Sequence, residues 1–237
     1  MEGRAKHPAF SLVGRIMQIY DISPLVSSKT AVFPGDTPYE RTVALHFDKG
    51  HNLVLSSIRS TVHIGAHADA PIHYHPDGVG IAERQLERYL GPCQVISVAI
   101  PAGKRIGIDD LNERPIQASR VLFRSGSFPD PEQWVSDFNS FCPDLLSFLA
   151  DEGVILVGID TPSIDPETSG ALESHQMAYR RDLAILEGLV LLNVPDGLYY
   201  LSALPLKLES ADASPVRAVL LSLDDMRDEI VKLSDLT

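Results

Sequence analysis

The chain is poor in cysteine, with only Cys93 and Cys142 in 237 residues. Two thiols so far apart do not form the disulfide framework of a small secreted protein. They also lack the C-x-x-C spacing of a zinc ribbon or a redox motif. We therefore expect both to be buried free thiols in a reducing compartment.

Long hydrophobic runs are also missing. No apolar run approaches the ~20 residues that a membrane-spanning helix needs. Residues 1–20 lack the apolar region and the cleavage site of a signal peptide. We therefore predict a cytoplasmic protein, in which residues 1–15 are a disordered N-terminal extension and residues 16–237 form one domain.

Positive charge is scarce, because 20 basic residues face 32 acidic ones and the formal net charge is -12. Nucleic acids and anionic membranes are bound through basic patches, so neither is expected as a partner. A small polar molecule is not excluded as a ligand. With 44% hydrophobic and 22% charged residues, the composition is that of a globular protein.

Short apolar segments separated by glycine and proline define the fold class. Residues 154–160, VILVGID, predict a buried strand that ends on a polar residue, and Pro143–Asp151 predicts a helix with one apolar stripe. Ala82–Tyr89 predicts a second short helix. Because strands outnumber helices and their order is mixed, we predict one α/β domain with mixed sheets and not a doubly wound parallel sheet.

Four side chains that can bind metal or carry protons lie within eleven residues: His63, His67, Asp69 and His73. All have odd numbers, and in an extended segment odd positions share one face. Gly65 removes a side chain between two histidines, so the backbone can pass close to an ion. Imidazole suits zinc, and a carboxylate can bridge two ions. This window predicts a metal site.

A helical zinc-protease motif is the main competing interpretation, since His63 and His67 are four residues apart. That motif requires a glutamate directly after the first histidine, to activate water. Here the residue is Ile64, and Gly65 and Pro71 disfavour a helix. We therefore reject the protease interpretation.

A second pair of potential ligands, His175 and Glu187, lies downstream and twelve residues apart. On one unbroken helix the two side chains would point about 120° apart. They can converge only if the chain turns near Arg181-Asp182. From the residues alone, a surface histidine and a helix-terminal glutamate remain the simpler interpretation. The remaining histidines, His7, His46, His51 and His75, are likewise expected to have no role in a site.

The window HIGAHADAPIHY resembles the signature His-x-Gly-(Thr/Ala)-His-x-Asp-x-Pro-x-His of the metal-dependent cyclase-like amidohydrolase family. The stretches FPGDTPYE, YLGPCQVI, GIDTPSIDP and LAILEGLVL favour its bacterial formamidase branch. The resemblance extends from about Ile19 to Leu221. It implies a metal-dependent hydrolase domain with a swivelling β/β/α fold.

The resemblance implies a binuclear zinc site, with manganese as the alternative metal. His63, His67 and Asp69 would hold one zinc ion. Asp69 would bridge to a second zinc ion held by His175 and Glu187. His73 would be the catalytic proton donor and acceptor.

The implied activity is that of an arylformamidase, which hydrolyses N-formyl-L-kynurenine to L-kynurenine and formate in tryptophan degradation. The implied assembly is a homodimer, and Phe33 would contact the aromatic substrate at a position where the family usually has Trp. Ile64 and His75 also replace the usual Thr and Asp. Two alternatives stay open: a hydrolase of the same family that opens a cyclic amide such as isatin, and a non-catalytic metal-binding protein of the same fold.

Overall fold

The computed structural model describes residues 17–227, and the predicted extension over residues 1–15 lies outside them. The helices are α1 (Pro143–Asp151) and α2 (Glu173–Arg180), and a further helical segment covers residues 223–227. The strands are β1 (Ile19–Asp21), β2 (Glu40–Leu45), β3 (Leu55–Arg59), β4 (His67–Asp69), β5 (Leu90–Ser97), β6 (Arg105–Ile106), β7 (Arg120–Arg124), β8 (Ser140–Phe141), β9 (Leu156–Ile159), β10 (Ala184–Glu187), β11 (Gly197–Ser202), β12 (Ala213–Pro215) and β13 (Val219–Ser222). Between residues 17 and 227, no helix has the length and apolar character needed to cross a membrane.

A nine-stranded mixed sheet organises these elements, in the order β1-β13-β11-β5-β7-β9-β10-β4-β12. Strands β5, β7, β9 and β10 form a parallel group. The two strands that flank this group are antiparallel to it, since β11 pairs antiparallel with β5 and β4 pairs antiparallel with β10. Strands β2 and β3 form a separate hairpin, and β6 pairs with β8. The predicted α/β fold with mixed sheets is confirmed.

The core consists of two hydrophobic clusters on the two faces of the sheet. Along β7, Val121 and Phe123 belong to one cluster and Leu122 to the other, as the alternation of side chains in a strand requires. Helix α1 begins at Pro143, a residue suited to a first helical position, and packs its leucines on the Val121 face. The predicted helix Pro143–Asp151 is confirmed. Each fully buried leucine contributes about 1.5–3 kcal/mol.

The predicted helix over Ala82–Tyr89 is wrong. Two separate 3-10 turns, Ile81–Glu83 and Leu86–Arg88, replace it, and the two residues between them have extended backbone. In this conformation the Arg84 guanidinium lies 2.9 Å from the Asp182 carboxylate. The break in the helix thus coincides with a tertiary contact, and tertiary contacts can override a local preference for helix.

The two cysteines are both free. Cys93 is buried in the core, whereas Cys142 is half-buried. The expectation of two fully buried thiols is therefore wrong for Cys142, because this residue lies at the N-terminal cap of α1, where the chain leaves β8.

Gly158 gives a test of packing in the centre of the sheet. It lies in β9, and a Cβ atom there would come within 2.5 Å of Leu122 Cδ2 and 3.0 Å of Leu189 Cδ1. Gly158→Ala should therefore lower the free energy of unfolding by about 1–3 kcal/mol, measured by urea denaturation. Gly170→Ala is the control, because nothing lies within 4 Å of its added Cβ. Equal stability of the two variants would contradict the tight packing around β9.

Candidate metal centre

Strand β4 places two of the predicted site residues. It lies between β10 and β12, and its register sets His67 directly opposite Glu187. His67 and Asp69 flank Ala68, so their side chains leave the same face of the strand. All three polar residues are almost fully buried. Strand pairing therefore brings His67, Asp69 and Glu187 together.

The expectation of one extended segment is wrong for the other two residues of the window. His63 lies in a bend before β4, and His73 ends the 3-10 turn Pro71–His73. The turns nevertheless bring their rings together, with centroids 4.2 Å apart. The four residues converge through local turns and not through strand periodicity alone.

The backbone at the end of β10 lies very close to the backbone between His63 and His67. Gly188 follows Glu187 with φ +64, and a Cβ atom there would lie 2.1 Å from the carbonyl oxygen of Gly65. Only glycine fits such an approach. The same Gly65 oxygen lies 2.9 Å from Nδ1 of His67. The two glycines therefore set the distance between the segment of His67 and the segment of Glu187.

His175 reaches the centre because the chain reverses after α2. The helix ends at Arg180, and Asp182 has a left-handed φ of 50° before β10 begins. Nε2 of His175 lies 3.4 Å from Oε1 of Glu187. The turn near Arg181-Asp182 that this convergence requires is present.

The facing atoms of the centre are close but not hydrogen-bonded. His67 Nε2 lies 3.2 Å from Glu187 Oε2, and His175 Nε2 lies 3.4 Å from Asp69 Oδ2. Four buried atoms, His67 Nε2, His175 Nε2 and both carboxylate oxygens of Asp69, have no hydrogen-bond partner among the described residues. A buried polar atom without a partner costs about 1–3 kcal/mol.

A metal ion accounts for this arrangement. Two ligand atoms, each 2.0–2.1 Å from a tetrahedral zinc ion, lie about 3.3 Å apart. Two overlapping groups of described residues have ligand atoms within 4.8 Å of one another: His63, Asp69 and His73, and His67, Asp69 and Glu187. Asp69 belongs to both groups. The geometry also admits His73 as a ligand, so its role as a proton carrier remains a proposal.

The outward ring nitrogens of His63 and His175 each face a carboxylate oxygen. His63 Nε2 lies 2.9 Å from Asp212 Oδ2, and His175 Nδ1 lies 2.9 Å from Asp165 Oδ2. Metal-binding histidines are usually held in this way, which fixes the ring and its tautomer. Sequence reasoning missed both aspartates. Asp165 lies in the noted stretch GIDTPSIDP, but no spacing marks it, and Asp212 has no local signal.

Asp165 is fully buried and holds the start of α2 as well as His175. Its carboxylate accepts the backbone N–H groups of Ser174 and His175 at 3.0 Å, and the Arg105 guanidinium at 2.9 Å. Burial would raise the pKa of Asp165, but the hydrogen bonds from His175 and Ser174 lower it to about 2. The carboxylate is therefore ionised at neutral pH.

The charges of the centre suit a cation. Burial raises the pKa values of Asp69 and Glu187, but nearby histidines outweigh this effect and lower both. Burial lowers the pKa of His63, yet in the absence of metal its contacts with Asp69 and Asp212 raise it to about 9. A divalent ion would replace such histidine protons.

His73 differs from its neighbours in exposure and in protonation. Its side chain is 34% exposed, and burial of the remainder lowers its pKa. The ring is therefore neutral at neutral pH and can accept a proton.

A cavity of about 470 Å³ opens over the centre. The predicted site residues His63, His67, His73, His175, Glu187 and Phe33 line it. Asp69 lies beneath them in β4, buried from the cavity. The structure therefore gathers every site residue predicted from the sequence at one place.

Fold and site together define the class of protein. A family model described as "Putative cyclase" matches residues 20–166, which is more than half of the chain. A solved structure described as a potential metal-dependent hydrolase with cyclase activity has a TM-score of 0.75 and 28% identity, and the match covers 86% of this chain and 98% of the other. The chain belongs to this cyclase family, and the donor set supports a metal cofactor.

Curated relatives narrow the assignment. The kynurenine formamidase of Bordetella petrii is 43% identical over 212 residues, which is 87% of this chain and 99% of the relative. This identity places the chain with the kynurenine formamidase group of hydrolases. The solved structure of an isatin hydrolase bound to the product analogue thioisatinate has a TM-score of 0.70, and the match covers 87% of this chain and 92% of the hydrolase chain. The sequence identity is 20%, so this likeness concerns the fold alone.

Asp165 provides a test of the metal centre that does not depend on activity. Asp165→Asn removes the charged partner of His175 and should weaken metal affinity about 10- to 100-fold. The affinity is measured by competition with a chelator. Glu173→Gln is the matched control, since Glu173 also accepts from Arg105 but lies on the surface. Unchanged affinity in Asp165→Asn would show that Asp165 serves only to cap α2.

Proposed function

We propose that the protein is a binuclear zinc enzyme that hydrolyses N-formyl-L-kynurenine to L-kynurenine and formate. The observation that carries the metal part is Asp69, whose two buried oxygens lack hydrogen bonds and face histidines on both sides. A carboxylate in that position can bridge two ions. The substrate is proposed from the relatives named kynurenine formamidase.

We assign the metal-binding roles as the family resemblance implies. His63, His67 and Asp69 would hold one ion, and Asp69, His175 and Glu187 would hold the other. Bound zinc would supply a water of lowered pKa and an electrophile for the formyl oxygen.

His73 is proposed to carry the proton. Its neutral ring at the cavity wall can accept a proton from the attacking water and return it to the nitrogen of the departing arylamine. Such an amine leaves more readily than an alkylamine, because its lone pair is delocalised into the ring. Asp212 Oδ2 lies 3.5 Å from His73 Nδ1 and supports the orientation of the ring.

We also propose that the protein is a homodimer. Residues on and beside the β2–β3 hairpin support an association surface, because Leu53, Leu55 and Ile58 are 42%, 54% and 67% exposed. A cytoplasmic location and the absence of nucleic-acid binding remain predictions from composition.

The proposed function is tested by metal analysis and a paired assay on one preparation. The purified protein should contain two zinc ions per chain and should hydrolyse N-formyl-L-kynurenine far faster than isatin. Asp69→Ala should lower the occupancy of both ions, because the bridge is lost. Preference for isatin, with manganese in place of zinc, would favour the cyclic-amide alternative. Full metal retention in Asp69→Ala would refute the bridging role.

His73→Ala separates the two roles that the geometry permits. If His73 carries protons, the variant should keep its zinc and lose kcat by a factor of roughly 10²–10⁴. His75→Ala is the matched control, because that ring stacks on Tyr179 and does not line the cavity. Zinc loss in His73→Ala would make the residue a ligand, and unchanged kcat would remove it from the reaction.

A further inference from the structure

Trp134 is the one tryptophan of the chain, and it lines the cavity over the metal centre. Its ring meets that of Phe33 edge to face, with centroids 5.3 Å apart and an interplanar angle of 74°. We propose that Trp134 and Phe33 together bind the aryl ring of the substrate and that Trp134 is a specificity-determining residue. This inference rests on the proposed function and adds the residue that selects an aromatic substrate.

The indole of Trp134 is held before any ligand binds. Its Nε1 donates a hydrogen bond to Glu167 Oε2 at 3.1 Å. Its ring also packs against those of Phe128 and the buried Phe138, with centroids 5.9 Å and 6.0 Å away. A side chain fixed in this way contacts a ligand with little further loss of conformational entropy.

Phe33 and Trp134 belong to one structural unit although they are far apart in sequence. The backbone N–H of Ala31 donates to the carbonyl oxygen of Pro131 at 2.9 Å, which joins the turn of Phe33 to the segment of Trp134. Phe33 is 44% exposed and Trp134 is half-buried. The two rings thus leave apolar surface available to a third ring, which would pack against them edge to face or offset.

The charged residues around the cavity leave its aromatic pair, Phe33 and Trp134, to select an aryl ring. Among the described residues that line it, Asp36, Asp160 and Glu187 are acidic, and none is Lys or Arg. Away from the histidines of the metal centre, a carboxylate on the substrate therefore finds no cationic side chain in this lining. We therefore assign recognition of the aryl ring to the aromatic pair, with the formamide at the metal centre.

Intrinsic fluorescence tests ring binding directly, because Trp134 is the only indole in the chain. L-kynurenine, the proposed product, should quench this fluorescence saturably. L-alanine is the matched probe, since it carries the same ammonium and carboxylate groups without a ring, and it should cause no saturable change. Quenching should persist after zinc is removed with a chelator. Equal responses to the two probes, or no saturable response to kynurenine, would overturn the proposal.

Kinetics of two substitutions test the effect on specificity. Trp134→Ala should raise KM for N-formyl-L-kynurenine about tenfold while zinc content and kcat change little. Trp134→Phe should restore most of the affinity. Phe47→Ala is the control, because Phe47 is 61% exposed and does not line the cavity. The KM of a small alkyl formamide should be unaffected by all three changes.

The outcomes separate this inference from the proposed function. Unchanged KM in Trp134→Ala, or an equal rise for the alkyl formamide, would overturn the role of Trp134. If Trp134→Ala does not fold, the fluorescence of the unmodified protein decides the question, through saturable quenching by L-kynurenine and not by L-alanine. Selective quenching by kynurenine without any hydrolysis of N-formyl-L-kynurenine would refute the proposed reaction and support the aryl site.

Discussion

The structure depends on the burial of two carboxylates, Asp69 and Glu187, side by side in the sheet. Each is at most 3% exposed, and their strands are hydrogen-bonded neighbours. Burying like charges together is costly unless positive charge compensates them. Histidines on three separate segments supply that compensation, either as protonated rings or as ligands of a cation. The close approach of Gly188 to Gly65 and the reversal after α2 bring those segments to the carboxylates.

The fold class follows from local patterns, but the order of the strands does not. Apolar runs bounded by glycine and proline correctly indicate a mixed α/β fold. The apolar stripe of Pro143–Asp151 predicts helix α1 with the same first and last residues as in the structure. The pairing of β4 with β10 joins residues more than a hundred positions apart, and no periodicity encodes it. Ala82–Tyr89 shows the same limit, because its local pattern predicts one helix whereas the folded segment forms two turns in contact with distant Asp182.

The candidate site was likewise predictable from local sequence only in part. The density of ligands from His63 to His73 is visible locally, so the sequence alone indicates a metal site there. Grouping His175 and Glu187 with that window required the family resemblance, since their spacing permits convergence only after a turn. Asp212, which is 149 positions from His63, and Trp134 carry no local signal. Their roles follow only from three-dimensional contacts.

The carboxylate of Asp165 has a consequence for cooperativity. One buried side chain caps the first turn of α2 and orients the ring of His175, so opening that turn withdraws His175 from the centre. An ion that binds only while this turn is formed would stabilise the turn. By thermodynamic linkage, formation of the turn would favour ion binding by the same free energy. With His175 as a ligand, as proposed, the first turn of α2 and the metal centre would form one thermodynamic unit, in which local unfolding and metal release are reciprocal events.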